Sequence, residues 1–102
     1  MLLLVLLCAC EQKKTPTTGD PVAGRELFER GCAVCHYANG SQKKVGPGLL
    51  GLYKLKTLPN GTPVTDQNVE SWIRNGGGLM PPFKNALTPE QMQDLIAYLK
   101  TL

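Results

Sequence analysis

The sequence predicts an all-α domain in which three main helices are separated by long loops. Three segments carry apolar residues at helical spacing and have capping residues at their ends, whereas no segment of useful length alternates apolar and polar residues as a strand does. The segments between them are rich in glycine and proline. At 102 residues the chain has room for one domain, and its small core would be stabilised by a large built-in apolar group.

Composition argues against a disordered, collagen-like or nucleic-acid-tail sequence. Hydrophobic residues make up 42% and charged residues 19% of the chain, as in ordinary globular domains. Eleven Lys and Arg against eight Asp and Glu give a net charge of +3, which is too small to predict nucleic-acid binding. A small positive excess can still steer an acidic partner.

The first nineteen residues do not belong to the predicted domain. Residues 1–9 are apolar but much shorter than the roughly 20 residues that span a bilayer, so they predict a lipoprotein-type signal peptide. Residues 7–10 resemble the bacterial lipobox, which makes Cys10 the predicted lipidation site. No positive charge precedes the apolar run, which leaves the position of the start codon open. Residues 10–19 then form a lipidated N-terminus and flexible tether, and the domain covers residues 20–102. We therefore expect an exported protein, anchored to a membrane by its N-terminal lipid on the extracytoplasmic (periplasmic) face.

The first helix begins at Asp20, a capping residue, with Pro21 at the first helical position, and it leads into Cys32. Residues 37–64 contain many Gly, Pro, Asn and Lys and predict loop, with a short helical turn near residues 49–52.

The second helix is predicted from its cap at Thr65 to about Asn75, with Gly76 to end it. Residues 76–83 contain three glycines and two prolines and must be irregular. The third helix starts with a capping box at residues 88–91. It carries an apolar stripe formed by Met92, Leu95, Ile96 and Leu99.

The motif that carries chemistry is Cys32-Ala33-Val34-Cys35-His36. In the C-x-x-C-H pattern two thiols add to the vinyl groups of one haem, and the adjacent imidazole reaches its iron. A thioredoxin-like redox pair would need a preceding strand in a βαβ unit. A structural zinc site would need a fourth ligand, for which only Cys10 remains. The predicted cofactor is one covalent haem c with its iron.

The second axial ligand must be another residue type, because His36 is the only histidine in the chain. Met80 lies in an irregular loop, where fixed backbone can aim its thioether across the haem. Met92 is the alternative, but it begins the apolar stripe of the third helix, and a helical methionine in such a stripe usually fills the core. With His36 and Met80 as ligands, the iron has no open coordination position, which favours electron transfer.

Residues 20–102 resemble the class I cytochrome c family, especially its short bacterial members and the cytochrome domains fused to some terminal oxidases. The matching features are the haem motif, glycine and an aromatic residue in the first helix, a Gly-Pro pair after the motif, the Met-Pro loop and an apolar last helix. These features are Cys32 to His36, Gly24, Phe28, Gly46-Pro47, Leu49, Gly51-Leu52, Met80-Pro81 and residues 95–99.

The resemblance implies a class I cytochrome c fold, in which three main helices and long loops wrap around one covalent haem. It implies that the Pro47 carbonyl accepts a hydrogen bond from the His36 ring, as partners of metal-bound histidines do. It also implies that Gly24 and Phe28 pack against Leu95 and Tyr98 at a close crossing of the first and last helices.

Two aromatic residues have open roles in haem binding. Tyr53 and Trp72 each carry a polar tip on an apolar body, and buried tips of this kind usually need a hydrogen-bond partner. A haem propionate is one candidate partner. Plain core packing is the other interpretation for both residues.

Several lysines lie in the loops that border the exposed haem edge in this fold. They form either a docking ring for an acidic oxidase or reductase site, or simply a solvated surface. These are Lys43, Lys44, Lys54, Lys56 and Lys84.

The leading functional prediction is a monomeric electron carrier, not an enzyme, which shuttles single electrons between respiratory-chain partners. One alternative is a fixed haem subunit of a larger oxidase or reductase complex. A haem peroxidase or gas sensor is a further alternative, in which Met80 leaves the iron. The chain lacks a second histidine for the acid-base step that peroxide cleavage needs.

Overall fold

The computed structural model describes residues 19–102 and has three α-helices. Helix α1 is Pro21–Gly31, α2 is Asp66–Asn75 and α3 is Pro89–Leu99. Within residues 19–102 the only β-pairings are two isolated bridges, so the all-α prediction is confirmed. The predicted signal peptide, the tether before residue 19 and Cys10 lie outside the described residues.

Side-chain caps determine where the helices begin. The Asp20 side chain accepts from the backbone N–H of Val22 at 2.9 Å, and Thr65 accepts from Asn68 at 3.1 Å. At α3 the capping box is complete. The Gln91 N–H donates to the Thr88 hydroxyl at 3.1 Å, and the Thr88 N–H donates to the Gln91 side chain at 2.9 Å. Each cap satisfies N–H groups that have no partner within the first turn.

The short helical turn predicted near residues 49–52 is present in the long loop. The Leu52 N–H donates to the Leu49 carbonyl at 3.1 Å, and a 3₁₀ turn continues at Leu52–Lys54. Gly51 lies between them with φ +69°, a left-handed conformation that suits glycine.

Helices α1 and α3 cross at very close range. A Cβ atom on Gly24 would lie 1.9 Å from the Asp94 carbonyl oxygen and 2.8 Å from Tyr98 Cβ, so only glycine fits. Next to this contact, the rings of Phe28 and Tyr98 are 5.5 Å apart and tilted by 59°. The predicted crossing is confirmed, although the nearest neighbour of Gly24 is the Asp94 backbone and not Leu95.

The core lies between these helices and the loops that cover them. Its buried side chains come from all three helices and the long loop: Phe28, Leu58, Val69, Ile73, Met92, Leu95, Ile96 and Leu99. Partly buried Met80, Tyr53 and Trp72 pack against it.

The N-terminal end of the described domain is attached to α3. The Asp20 N–H donates to the Asp94 carboxylate at 2.8 Å. A Cβ on Gly19 would lie 2.0 Å from the Gln93 carbonyl oxygen. The chain thus joins the domain against the side of α3. Within residues 19–102 every helix is too short or too polar to cross a bilayer.

Candidate functional site

The haem motif forms a tight turn directly after α1. The N–H groups of Cys32 and Ala33 both donate to the Phe28 carbonyl, at 2.8 and 2.9 Å, which ends the helix. The N–H groups of Cys35 and His36 then donate to the Cys32 carbonyl, at 3.1 and 3.0 Å. One backbone oxygen thus holds the second cysteine and the histidine close to the first cysteine. The two thiols and the imidazole that the motif requires share a single turn.

The orientation of the His36 ring is set by Pro47. Nδ1 of His36 lies 2.7 Å from the Pro47 carbonyl oxygen, the contact that the family resemblance implies. A carbonyl can only accept, so Nδ1 carries the proton and Nε2 keeps its lone pair for a metal. The bond also makes the imidazole a more basic ligand.

Gly46 allows the loop to lie flat on the His36 ring. A Cβ on Gly46 would lie 2.3 Å from Cε1 and 2.8 Å from Nδ1 of His36. The Gly46 N–H donates to the Cys35 carbonyl at 2.8 Å, which joins the loop to the motif. Gly46 therefore allows the loop to approach the His36 ring closely, and Pro47 orients the ring.

Lys44 is not the free surface lysine that a docking ring would need. Its Nζ donates to the Ala33 carbonyl at 2.8 Å and lies 4.6 Å from the centre of the Tyr37 ring. Sequence reasoning missed this role, because a lysine in a polar loop has no pattern that predicts its partner. Lys43, Lys54, Lys56 and Lys84 are exposed.

The pKa of the free Cys32 thiol is shifted in the opposite direction to that of a redox-active cysteine. Burial, and secondarily the neighbouring Cys35, raise its pKa to about 11. Reactive C-x-x-C cysteines have lowered pKa values that maintain a thiolate at neutral pH. No strand precedes the motif within the described part of the chain. The described residues therefore provide neither the lowered thiol pKa nor the preceding strand that a thioredoxin-like redox pair needs.

The Met80 loop is closely held by backbone contacts. Gly77 and Met80 exchange both backbone hydrogen bonds, at 3.1 and 3.0 Å. The Phe83 N–H donates to the Ile73 carbonyl at 3.0 Å, which joins the end of the loop to α2. Gly76 has φ +69° and its α-carbon faces the Met80 carbonyl too closely for any side chain. Met80 is thus carried by rigid backbone, as a methionine ligand requires.

The two candidate methionines differ in burial. Met92 is 2% exposed and packs within the core. Met80 is only partly buried, at the edge of that core. This arrangement favours Met80 as the axial ligand.

Tyr53 has a buried hydroxyl without a hydrogen-bond partner. Burial raises the pKa of this hydroxyl well above its ordinary value, and the nearby Asp66 carboxylate raises it further. The two side chains nevertheless do not reach hydrogen-bonding geometry. Asp66 pairs instead with Lys100, whose Nζ lies 2.7 Å away. An unpartnered buried donor fits the predicted contact with a haem propionate.

Trp72 packs against the Met80 loop. A Cβ on Gly77 would lie 2.8 Å from Cη2 of the indole ring. The ring also lies against the core. These contacts favour the packing interpretation, with the indole supporting the loop that carries Met80.

The zinc alternative finds no ligand set in the described part of the chain. No group of three or more His, Cys, Asp or Glu side chains is arranged to hold a metal ion in residues 19–102. The donors present are two thiols, one imidazole and one thioether on rigid backbone, together with an unpartnered tyrosine hydroxyl. This set fits a covalently held haem c.

Comparison with known proteins agrees with the fold and the motif. A family model described as "Cytochrome c" matches residues 21–102. Cytochrome c6 from Leptolyngbya boryana is 34% identical over 79 residues, which cover 78% of this chain and 88% of that protein. The crystal structure of cytochrome c6 from the diatom Phaeodactylum tricornutum superposes with a TM-score of 0.65 at 29% identity, covering 81% of this chain and 93% of that one.

A larger protein also contains a similar segment. Cytochrome c oxidase subunit 2 from Alkalihalophilus pseudofirmus is 32% identical over 93 residues, which cover 85% of this chain. This chain spans only 27% of that subunit, so the likeness concerns one part of it.

Proposed function

Because the chain belongs to the cytochrome c family, we propose that it carries single electrons through one haem c, attached by Cys32 and Cys35 and ligated by His36 and Met80. The haem supplies one-electron exchange at its iron when bound. The observation that carries the proposal is the 2.7 Å contact between His36 Nδ1 and the Pro47 carbonyl, since it leaves the other ring nitrogen available to a metal directly beside two thiols.

The residues around the motif have separate tasks in this function. Cys32 and Cys35 would hold the haem through thioether bonds, so that it would stay bound in both oxidation states. His36, with its Nδ1 proton held by Pro47, and Met80 would be the iron ligands, and a thioether ligand raises the reduction potential relative to a second imidazole. Tyr53 would donate to a propionate.

The surface near the site suits short encounters with redox partners. Val34, between the two cysteines, is 74% exposed, and Leu79, beside Met80, is 85% exposed. The exposed lysines Lys43, Lys54, Lys56 and Lys84 favour a partner whose docking site is acidic. We infer a monomeric carrier, not an enzyme, that binds an oxidase or reductase weakly and leaves after one transfer.

The N-terminal lipid is a further part of the proposal. Export followed by acylation at Cys10 would anchor the domain on the extracytoplasmic face of a membrane. The lipobox-like residues 7–10 support this, and the haem-attachment motif supports it independently, because haem attachment of this type takes place outside the cytoplasm.

A fixed haem subunit of a larger complex is the second candidate. The similarity to part of an oxidase subunit 2 favours it. Gentle detergent extraction and native mass measurement separate the two candidates. A carrier migrates as a single chain with one haem, whereas a subunit copurifies with its complex.

The test of the main proposal is expression of the full chain with a haem-attachment system. We expect the mature mass to include one haem and a diacylglyceryl group, and a reversible one-electron titration with a potential above zero. Cys10→Ser is the matched control for the lipid, because it should lose acylation and retain the haem. A mature protein with apoprotein mass and no Soret band would refute haem binding, and a haem protein without lipid would refute only the anchor.

A further inference from the structure

We propose that Lys44 is a positioning residue, whose side chain holds the Pro47 carbonyl against the His36 ring and thereby sets the strength of His36 as an iron ligand. The inference rests on the proposed function and extends it to Lys44, which contacts Ala33, Tyr37 and Gly46.

The side chain of Lys44 bridges the two segments that meet at the His36 ring. Its Nζ donates to the Ala33 carbonyl at 2.8 Å and lies 4.6 Å from the Tyr37 ring centre. Ala33 and Tyr37 stand on either side of the segment that contains Cys35 and His36. The backbone N–H of Lys44 donates to the Gly46 carbonyl at 2.9 Å, next to Pro47. One residue therefore joins the loop that carries Pro47 to the turn that carries His36.

The Ala33 carbonyl is a favourable place for an ammonium group. It lies two residues beyond the end of α1, where carbonyl groups lack partners within the helix. The partial negative charge at a helix C-terminus attracts a cation. The Tyr37 ring face adds a second attraction from the side. Both partners act on the same charge and hold it in one place.

Few side-chain contacts besides that of Leu49, which packs against the core, hold the loop. Residues 41–45 are all exposed, so none of them is buried in the core. Among residues 19–102, the Lys44 and Pro47 contacts are the two side-chain hydrogen bonds that join residues 32–37 to residues 40–50. Backbone bonds from Gly46 to Cys35 and from Leu49 to Tyr37 complete the attachment. Loss of the Lys44 contact should therefore let the loop open more often without unfolding the domain.

The neighbouring Lys43 provides a matched control. It has the same charge, lies in the same loop and is exposed. Lys43→Met removes one positive charge near the haem and leaves the bridge intact. Lys44→Met removes the same charge together with the bridge. Any difference between the two variants reports the bridge and not the charge.

The experiment measures exchange of the His36 Nδ1 proton with solvent, by NMR of the reduced holoprotein. We expect about tenfold faster exchange in Lys44→Met, as loss of a charge-assisted hydrogen bond predicts, and less than twofold change in Lys43→Met. Lys44→Arg should restore slow exchange, since its guanidinium can make both contacts. The reduction potential of Lys44→Met should be higher than that of Lys43→Met, because a less firmly bonded imidazole stabilises ferric iron less.

Three results would overturn the inference. These are equal exchange in the two methionine variants, no recovery in Lys44→Arg, or a parallel acceleration at the Leu95 amide, which would indicate global destabilisation. Absence of haem from the wild-type protein would instead refute the proposed function, and this inference with it.

Discussion

Substitution of Gly24 by alanine should be the most damaging single-methyl change in α1. The added Cβ would lie 1.9 Å from the Asp94 carbonyl oxygen, whereas ordinary van der Waals contact begins near 3.4 Å. The opposing atom belongs to the backbone of α3 and cannot rotate away. The two helices must therefore move apart by about 1.5 Å at their crossing.

The cost follows from what this separation exposes. Phe28 is 2% exposed, and its ring contact with Tyr98 lies beside the crossing. A gap of 0.5–1 Å already loses about a quarter to a half of the dispersion energy between facing atoms. Overpacking costs about 1–3 kcal/mol or more, and alanine returns about 1 kcal/mol of helix propensity. Because the clash is with backbone, the upper end of that cost applies, and we expect the free energy of unfolding to fall by about 2 kcal/mol. This lowers Tm by about 8–16 °C in a domain of this size.

The assay is guanidinium unfolding of the ferric holoprotein, followed by far-ultraviolet circular dichroism and by Soret absorbance. Gly31→Ala is the control, since Gly31 belongs to the same helix and its added Cβ would meet Phe83 Cε1 at an ordinary 3.6 Å. This control should be neutral or slightly stabilised. Equal stability of Gly24→Ala and wild type would refute the close crossing, as would an equal loss in Gly31→Ala.

Three further predictions concern the site and the surface. Met80→Ala should lose the weak absorption band that methionine-bound ferric haem shows near the red end of the spectrum, and it should bind carbon monoxide rapidly when reduced. The control, Met92→Ala, should retain this band and lose about 2–5 kcal/mol of stability. The reverse pattern would make Met92 the ligand. Gly46→Ala should displace the loop from the His36 ring and raise the reduction potential by roughly 20–60 mV, the equivalent of one weakened hydrogen bond. Gly40→Ala should leave the potential unchanged, because its Cβ would make only ordinary contacts with Tyr37 Cβ at 3.6 Å and Gln42 N at 4.0 Å. The Lys100 hydrogen bond lowers the pKa of Asp66, so this pair stabilises the fold above the unfolded pKa of Asp66, near 4, and the stabilisation disappears as the pH falls through the folded pKa. Because both side chains are about half exposed, the pair contributes at most about 1 kcal/mol of stability. When the free energy of unfolding is measured as the pH is lowered, it should fall less steeply in Asp66→Asn than in the wild type. An equally steep fall would exclude the pair as a source of acid sensitivity.

The helices were predictable because their signals are local. Thr88 and Gln91 are three residues apart and cap α3 from both sides, as expected from their spacing alone. The haem motif is equally local, since five consecutive residues define it. Gly24 was predicted at the helix crossing by resemblance, but its nearest neighbour, the backbone of Asp94, depends on how two helices seventy residues apart pack together.

The contacts that sequence reasoning missed join polar groups that are far apart in the chain. Lys44 and Ala33 are eleven positions apart, Asp66 and Lys100 are thirty-four apart, and Asp20 and Asp94 are seventy-four apart. Polar residues in loops and at helix ends have many possible partners, so neither periodicity nor composition selects one.

The attachment of residues 19 and 20 to α3 has a practical consequence for electrochemistry. Helix α1 advances about 1.5 Å per residue, so its eleven residues separate Asp20 from the cysteine turn by roughly 16 Å. A gold or graphite electrode coupled ahead of Gly19 would therefore be joined to the domain at the end of α1 away from the cysteines. Protein attached in this way should expose the end with the cysteines to dissolved partners, whereas coupling through Lys43 should turn that end towards the electrode.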